Sequence, residues 1–102
     1  MNICTYIDNH FSEDLSLEEI AEMSGFSKYH FSRLFHDFTN MPFYKYVNWK
    51  RISYAEQLLS DPELSATQVA IQSGFASQSA FIRMFKNRNG CTPTDFRKMQ
   101  QE

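Results

Sequence analysis

A chain of 102 residues at net charge −2, with 42% hydrophobic residues and ten phenylalanines, carries enough apolar mass for one compact domain or two small lobes sharing a helix, without staples. No run approaches the ~18 apolar residues of a membrane span, and Met1-Asn2-Ile3-Cys4 lacks the basic and apolar regions of a secretory signal. Cys4 and Cys91 stand far apart with no clustered histidines beside them, so a reducing, cytoplasmic compartment is expected, with no metal, no cofactor and no membrane partner.

A first helix is predicted over about residues 2–11, where Ile3, Tyr6, Ile7 and Phe11 form one apolar stripe. Ser16-Leu17-Glu18-Glu19 reads as a capping box that opens a second helix, and Gly25 ends it by supplying the left-handed turn. Ser27 caps a third helix over about 28–39. Asn40 then stands in a helix-ending position, the non-glycine residue most tolerant of positive φ. Pro42 starts a long helix reaching about Leu59, with apolar residues on more than one face, as for a rod packed between two lobes. Asp61-Pro62 breaks it. Ser65-Ala66-Thr67-Gln68 opens a fifth helix, Gly74 closes it, and Ser77 starts a sixth over about 78–88. Thr92-Pro93-Thr94-Asp95 caps a short last helix expected to fray beyond Lys98.

The same grammar is written twice. Ile20-Ala21-x-x-Ser24-Gly25-Phe26 with Phe31-x-Arg33-x-Phe35 returns as Val69-Ala70-x-x-Ser73-Gly74-Phe75 with Phe81-x-Arg83-x-Phe85, at an offset of 49 and then 50 residues. Internal repetition of this kind marks two copies of one supersecondary unit, here helix, glycine turn, helix. The fold class expected is therefore all-α, about seven helices, with two helix-turn-helix subdomains (1–41 and 61–102) joined by a long central helix (42–60).

Charge is segregated along this plan. Residues 1–27 hold six carboxylates and no Lys or Arg, whereas residues 28–60 and 82–102 each hold five basic and two acidic residues. Basic charge thus sits on the second helix of each repeat and on the connection. Such a face can bind DNA whatever the total charge.

In the third helix Phe31, Leu34, Phe35 and Phe38 share one face, and Tyr29, Ser32, Arg33 and His36 share the opposite one. In the sixth, Phe81, Met84 and Phe85 face inward, and Ser79, Ile82, Arg83 and Lys86 repeat the outward spacing. A short helix anchored by aromatics and presenting one arginine amid small or polar residues suits base reading in a major groove. A guanidinium bonds guanine bidentately, hydroxyls and amides read adenine or phosphate, and an apolar contact meets a thymine methyl. Lys28, Ser77 and Gln78, at the helix starts, would lie near a phosphate or base edge. A single amphipathic surface helix would show polar residues opposite apolar ones with no ligand at all. Two with the same arginine after the same glycine turn favour a shared role. No catalytic triad, phosphate-cradling glycine loop or metal site stands out, so no enzyme is expected. The rival class is a protein-interaction module whose aromatic-rich faces dock a partner helix or an RNA polymerase subunit.

These residues resemble the AraC/XylS family of transcription regulators over almost the whole chain. The most specific stretch is Gly74-Phe75-Ala76-Ser77-Gln78-Ser79-Ala80-Phe81-Ile82-Arg83-Met84-Phe85-Lys86 with Gly90-Cys91-Thr92-Pro93-Thr94-Asp95-Phe96-Arg97, close to a signature of Gly-x-Thr-Pro followed by an aromatic and Arg. The resemblance implies transcription regulation, with activation the expected outcome. It also implies DNA contacts from Tyr29, Ser32 and Arg33 in the third helix, and from Gln78, Ser79, Ala80, Ile82 and Arg83 in the sixth. Departures are Asn40 for the usual glycine and Phe96 for the usual Tyr. The partners expected are double-stranded DNA, RNA polymerase, and a sensor or dimerisation domain in a longer parent chain if this is a fragment. The alternative is a short stand-alone member.

Overall fold

The structure, a computed structural model, describes residues 2–101, and among them every regular element is a helix. In chain order these are α1 (Ile3–His10), α2 (Leu17–Met23), α3 (Lys28–Thr39), α4 (Phe43–Leu58), α5 (Ala66–Gln72), α6 (Gln78–Asn89) and α7 (Pro93–Gln100). α7 continues past Lys98, with Arg97 and Lys98 favourably placed in its last turn. No helix of the described residues is long and apolar enough to cross a membrane.

Local chemistry explains the boundaries. Asn2, Ser16, Ser27, Ser65, Ser77 and Thr92 each occupy an extended N-cap position, and each side chain accepts a hydrogen bond from a backbone N–H one turn on. In α5 the box closes both ways, with Gln68 N–H donating to Ser65 Oγ at 3.1 Å and Ser65 N–H to Gln68 Oε1 at 2.8 Å. In α2 only the serine half forms, at 3.0 Å. Glu19 is an exposed carboxylate, better hydrated in water than an amide, so it gains less by folding back.

Both turns end in the same cap. Gly25 N–H bonds the Glu22 carbonyl and Phe26 N–H the Ala21 carbonyl; Gly74 and Phe75 repeat this with Ile71 and Ala70. That is a Schellman motif, which needs positive φ at the glycine, found at 78° for Gly25 and 96° for Gly74. Asn40 at φ 60° and Gly90 at φ 73° end α3 and α6 alike.

The chain divides into two compact units, one up to Lys50 and one from Arg51. The first core gathers Ile7, Ile20, Ala21, Phe31, Phe35, Phe43 and Val47. The second gathers Ile52, Ala55, Leu59, Val69, Ala70, Phe75, Phe81 and Phe85. The repeat is therefore four helices long, not two. In the first unit α1, α2 and α3 close on the first half of α4. In the second, the last half of α4 takes the part of α1, and α7 takes the part of the first half of α4. The aromatic contacts support the match of α7 to the first half of α4: Phe35 meets Tyr46 edge-on at 5.3 Å, and Phe85 meets Phe96 edge-on at 5.3 Å. Edge-to-face pairs of this kind add about 0.5–1.5 kcal/mol beyond area burial. Tyr46 stays neutral, its hydroxyl pushed up to about 12 by burial and then by neighbouring Cys4 and Asp8.

One core position differs between copies. Ser24 Oγ donates to the Ile20 carbonyl at 2.9 Å, whereas the equivalent Ser73 is fully buried and its hydroxyl has no hydrogen-bond partner among the described residues. A buried unsatisfied hydroxyl costs about 1–3 kcal/mol. Ser73→Ala is therefore expected to stabilise the fold by about 1 kcal/mol, raising the melting temperature by roughly 4–8 °C. Ser24→Ala should lower it in the same thermal unfolding assay, and equal shifts would disprove the distinction.

Candidate nucleic-acid interface

Each helix-turn-helix is held from behind by phenylalanines. Phe31 and Phe35 are buried on α3, and Phe81 and Phe85 on α6, so the opposite faces are left to solvent. On α3, Tyr29, Arg33 and His36 are exposed and Ser32 is half-buried. On α6, Ser79, Arg83 and Lys86 are exposed, while Ala80 and Ile82 are half-buried and Ile82 packs against the second core. The outward spacing read from the sequence is thus one face within each helix. Ile82 is the partial exception, because its inner side is taken by the core.

At the helix starts the candidates already have partners. Ser77 Oγ accepts from Ala80 N–H at 3.1 Å, so its hydroxyl serves the cap. Lys28 pairs with Glu18 at 3.5 Å, and Gln78 shares a hydrogen bond with Thr67 Oγ1 at 3.3 Å. These two contacts are the same contact. Glu18 and Thr67 stand at equivalent places at the start of α2 and α5, and Lys28 and Gln78 are the first residues of α3 and α6. Each ties the head of an outward-facing helix to the helix before it. Neither Glu18 nor Thr67 stands out in the sequence as a site residue, but the repeat offsets of 49 and 50 would have paired them. The Glu18 carboxyl is held below its usual range, first by a backbone hydrogen bond and then by Lys28.

The basic residues separate into two groups. Lys50 is paired with Asp8 at 2.9 Å and lies over the rings of Trp49 and Tyr46, and Arg88 is paired with Glu56 at 3.4 Å. Arg97 is committed inside the second unit: its Nε donates to the Leu59 carbonyl at 3.0 Å, and its Nη2 to the carbonyls of Asp61 and Leu64 at 3.3 and 2.6 Å. Arg33, Arg83 and Lys86 are exposed and form no ion pair among the described residues. Lys45 and Lys98 are likewise exposed and form no ion pair among the described residues; on the outward faces of α3 and α6 the cations available to a polyanion are Arg33, Arg83 and Lys86. No group of three or more His, Cys, Asp or Glu side chains among the described residues could hold a metal ion.

Comparison with known proteins bears on this arrangement. The family model described as a helix-turn-helix domain matches residues 20–99. An uncharacterised HTH-type transcriptional regulator of Staphylococcus aureus (strain COL) is 38% identical over 95 residues, which is 93% of this chain and 13% of that protein. The chain therefore spans only a small part of the length of that curated relative. An AraC-type transcriptional regulator from Chromobacterium violaceum matches at a TM-score of 0.84 and 27% identity, covering 97% of this chain and 88% of the other. The DNA-binding domain of the global transcriptional factor AdpA, solved with a target DNA, shares the fold at a TM-score of 0.92 and 24% identity, covering 97% and 89%. Family and fold are those of DNA-binding regulators, not of enzymes. The chain belongs to the AraC-type helix-turn-helix family.

Proposed function

We propose that this chain binds double-stranded DNA sequence-specifically, with α3 and α6 as the reading helices in successive major grooves, and so regulates transcription. The observation that carries this is the pair Arg33 and Arg83. Each lies five residues beyond the first residue of its helix, exposed, without a carboxylate partner among the described residues, opposite a buried phenylalanine anchor. An unpaired guanidinium on such a helix keeps its full donor set for guanine O6 and N7. Tyr29, Ser32 and His36 would complete the reading set on α3, and Gln78, Ser79, Ala80, Ile82 and Lys86 that on α6. Lys28 and the Ser77 cap would lie toward phosphate. RNA polymerase is the second partner proposed, in the cytoplasm, where the DNA is.

The faces of α3 and α6 differ apart from their arginines, so one chain should prefer an asymmetric site of about two turns over an inverted repeat. Footprinting checks this on duplexes selected from a random library. Protection of two unlike half-sites is expected, and equal protection of both halves of a perfect inverted repeat would contradict it.

The Glu18–Lys28 pair adds a second expectation. Glu18→Gln removes a carboxylate beside the phosphate-facing start of α3 and releases Lys28. Affinity for DNA should rise roughly two- to fivefold, the scale of an exposed charge interaction, and the salt dependence should steepen by up to about 0.9 for one added phosphate contact. Titration by fluorescence anisotropy at several salt concentrations reads both. An unchanged slope would mean that Lys28 does not reach phosphate.

A further inference from the structure

The first unit carries an apolar groove of about 660 Å³, lined chiefly by Ile3 of α1, Met23 and Phe26 at the end of α2, and Leu34, Phe35 and Phe38 along α3. Phe38 is 82% exposed and Met23 50% exposed. The amphipathic pattern of α3 assigned Leu34 and Phe38 to the inward face, but no element of the described residues covers them. Exposure of this much clustered apolar surface is unfavourable unless something else covers it.

The duplication shows that the scaffold does not require it. At the places of Met23 and Phe38, the second unit has Gln72 and Arg88, and Arg88 is paired with Glu56. Phe26 is 41% exposed, whereas its counterpart Phe75 is buried at 8%. One copy of the same fold therefore places polar side chains at two positions where the other lines a groove with apolar ones. Three carboxylates lie next to its lining residues along the helices: Glu19 one turn before Met23, Glu22 beside it, and Asp37 one turn after Leu34. Glu19 and Glu22 on α2 and Asp37 beside Phe38 on α3 are exposed, and none of them forms an ion pair among the described residues.

We propose that this groove docks a basic amphipathic helix of another polypeptide. The stretch from Phe31 to Phe38 covers two helical turns, about 10 Å at ~1.5 Å per residue, a length that i, i+3, i+4 and i+7 side chains of a docked helix can fill. Lysine or arginine flanking those side chains would meet Glu19, Glu22 and Asp37. A second copy docking through the same face would instead bring like charges together. Tyr29, Ser32, Arg33 and His36 lie on the opposite side of α3, so the docked helix and a bound duplex do not compete for one surface. The proposal does not rest on the DNA reading.

The test uses two fluorescein-labelled 16-residue peptides with leucine at i, i+3, i+4 and i+7, one flanked by lysine and one by glutamate. The lysine peptide should bind the full chain saturably and at least tenfold more tightly than the glutamate peptide. The double variant Met23→Gln, Phe38→Arg, which copies the second unit, should weaken that binding at least tenfold while DNA affinity and the helical spectrum stay unchanged. A second variant, Glu19→Lys with Asp37→Lys, should reverse the preference between the peptides. Equal binding of both peptides, no saturable binding of the lysine peptide, or undiminished binding by the folded double variant would each overturn the proposal. So would concentration-dependent dimerisation of the chain that the double variant abolishes, since the occupant would then be a second copy.

Discussion

Replacing Arg83 with alanine is expected to lower affinity for the best DNA site by about 1–3 kcal/mol, roughly 5- to 150-fold, and to relax the preference at one base pair. Arg83 is exposed, pairs with no carboxylate among the described residues, and stands on a helix fixed from behind by the fully buried Phe81 and Phe85. Little reorganisation would therefore oppose the contact with a base proposed for it. Arg83→Lys should not restore the specificity, because an ammonium lacks the planar fork that matches guanine O6 and N7. Competition binding against a panel of single-base site variants separates the outcomes. Loss of affinity that is uniform across the panel would make Arg83 a phosphate contact, and unchanged affinity would remove it from the interface.

Arg97→Ala should act on stability instead, with an expected loss of about 3 kcal/mol, since hydrogen bonds from a charged donor each contribute about 1.5–3 kcal/mol and do not add fully. The guanidinium gathers the carbonyls of Leu59, Asp61 and Leu64, which flank the turn between α4 and α5. Without it, those acceptors lose the donor that fixes the path of the chain into the second helix-turn-helix. The equivalent place in the first unit holds Val47, buried in the core, so the clamp is particular to the second unit's copy of this position. Thermal unfolding should show a fall of roughly 12 °C or more. At low temperature, where the variant is folded, the salt dependence of DNA binding should match that of the parent. A normal melting temperature with a shallower salt dependence would place Arg97 at the DNA instead.

Arg97 also marks where the sequence stops being informative. Capping serines, the Schellman glycines and the left-handed Asn40 were all legible, because each depends on residues within one turn of the helix end. The outward faces of α3 and α6 were legible for the same reason, since period and spacing fix which side chains share a side. The fate of a charge is different. Counted by position, Lys50, Arg88 and Arg97 belong to the basic segments, yet Asp8, Glu56 and three loop carbonyls engage them. Those partners lie many residues away along the chain, and only the fold brings them near. Phe38 gives the converse case. Its spacing on α3 predicts burial, but spacing cannot say whether a neighbouring helix reaches that end of the stripe. The sharing of α4 was half visible. Its apolar residues on more than one face announced two neighbours, but the match of Tyr46 to Phe96 as the same edge-on contact required the structure. The Glu18–Lys28 and Thr67–Gln78 ties lay within reach of the repeat alignment, and their chemistry differs enough to hide the correspondence.

The most direct measurement is the affinity of the chain for a duplex selected from a random library, followed as salt is raised from about 50 to 200 mM. DNA binding through phosphate and base contacts predicts that log affinity falls linearly with log salt, by a slope of about −0.9 for each phosphate engaged, and that scrambled duplexes bind far more weakly throughout. Affinity that is flat with salt, or equal for selected and scrambled duplexes, would contradict it.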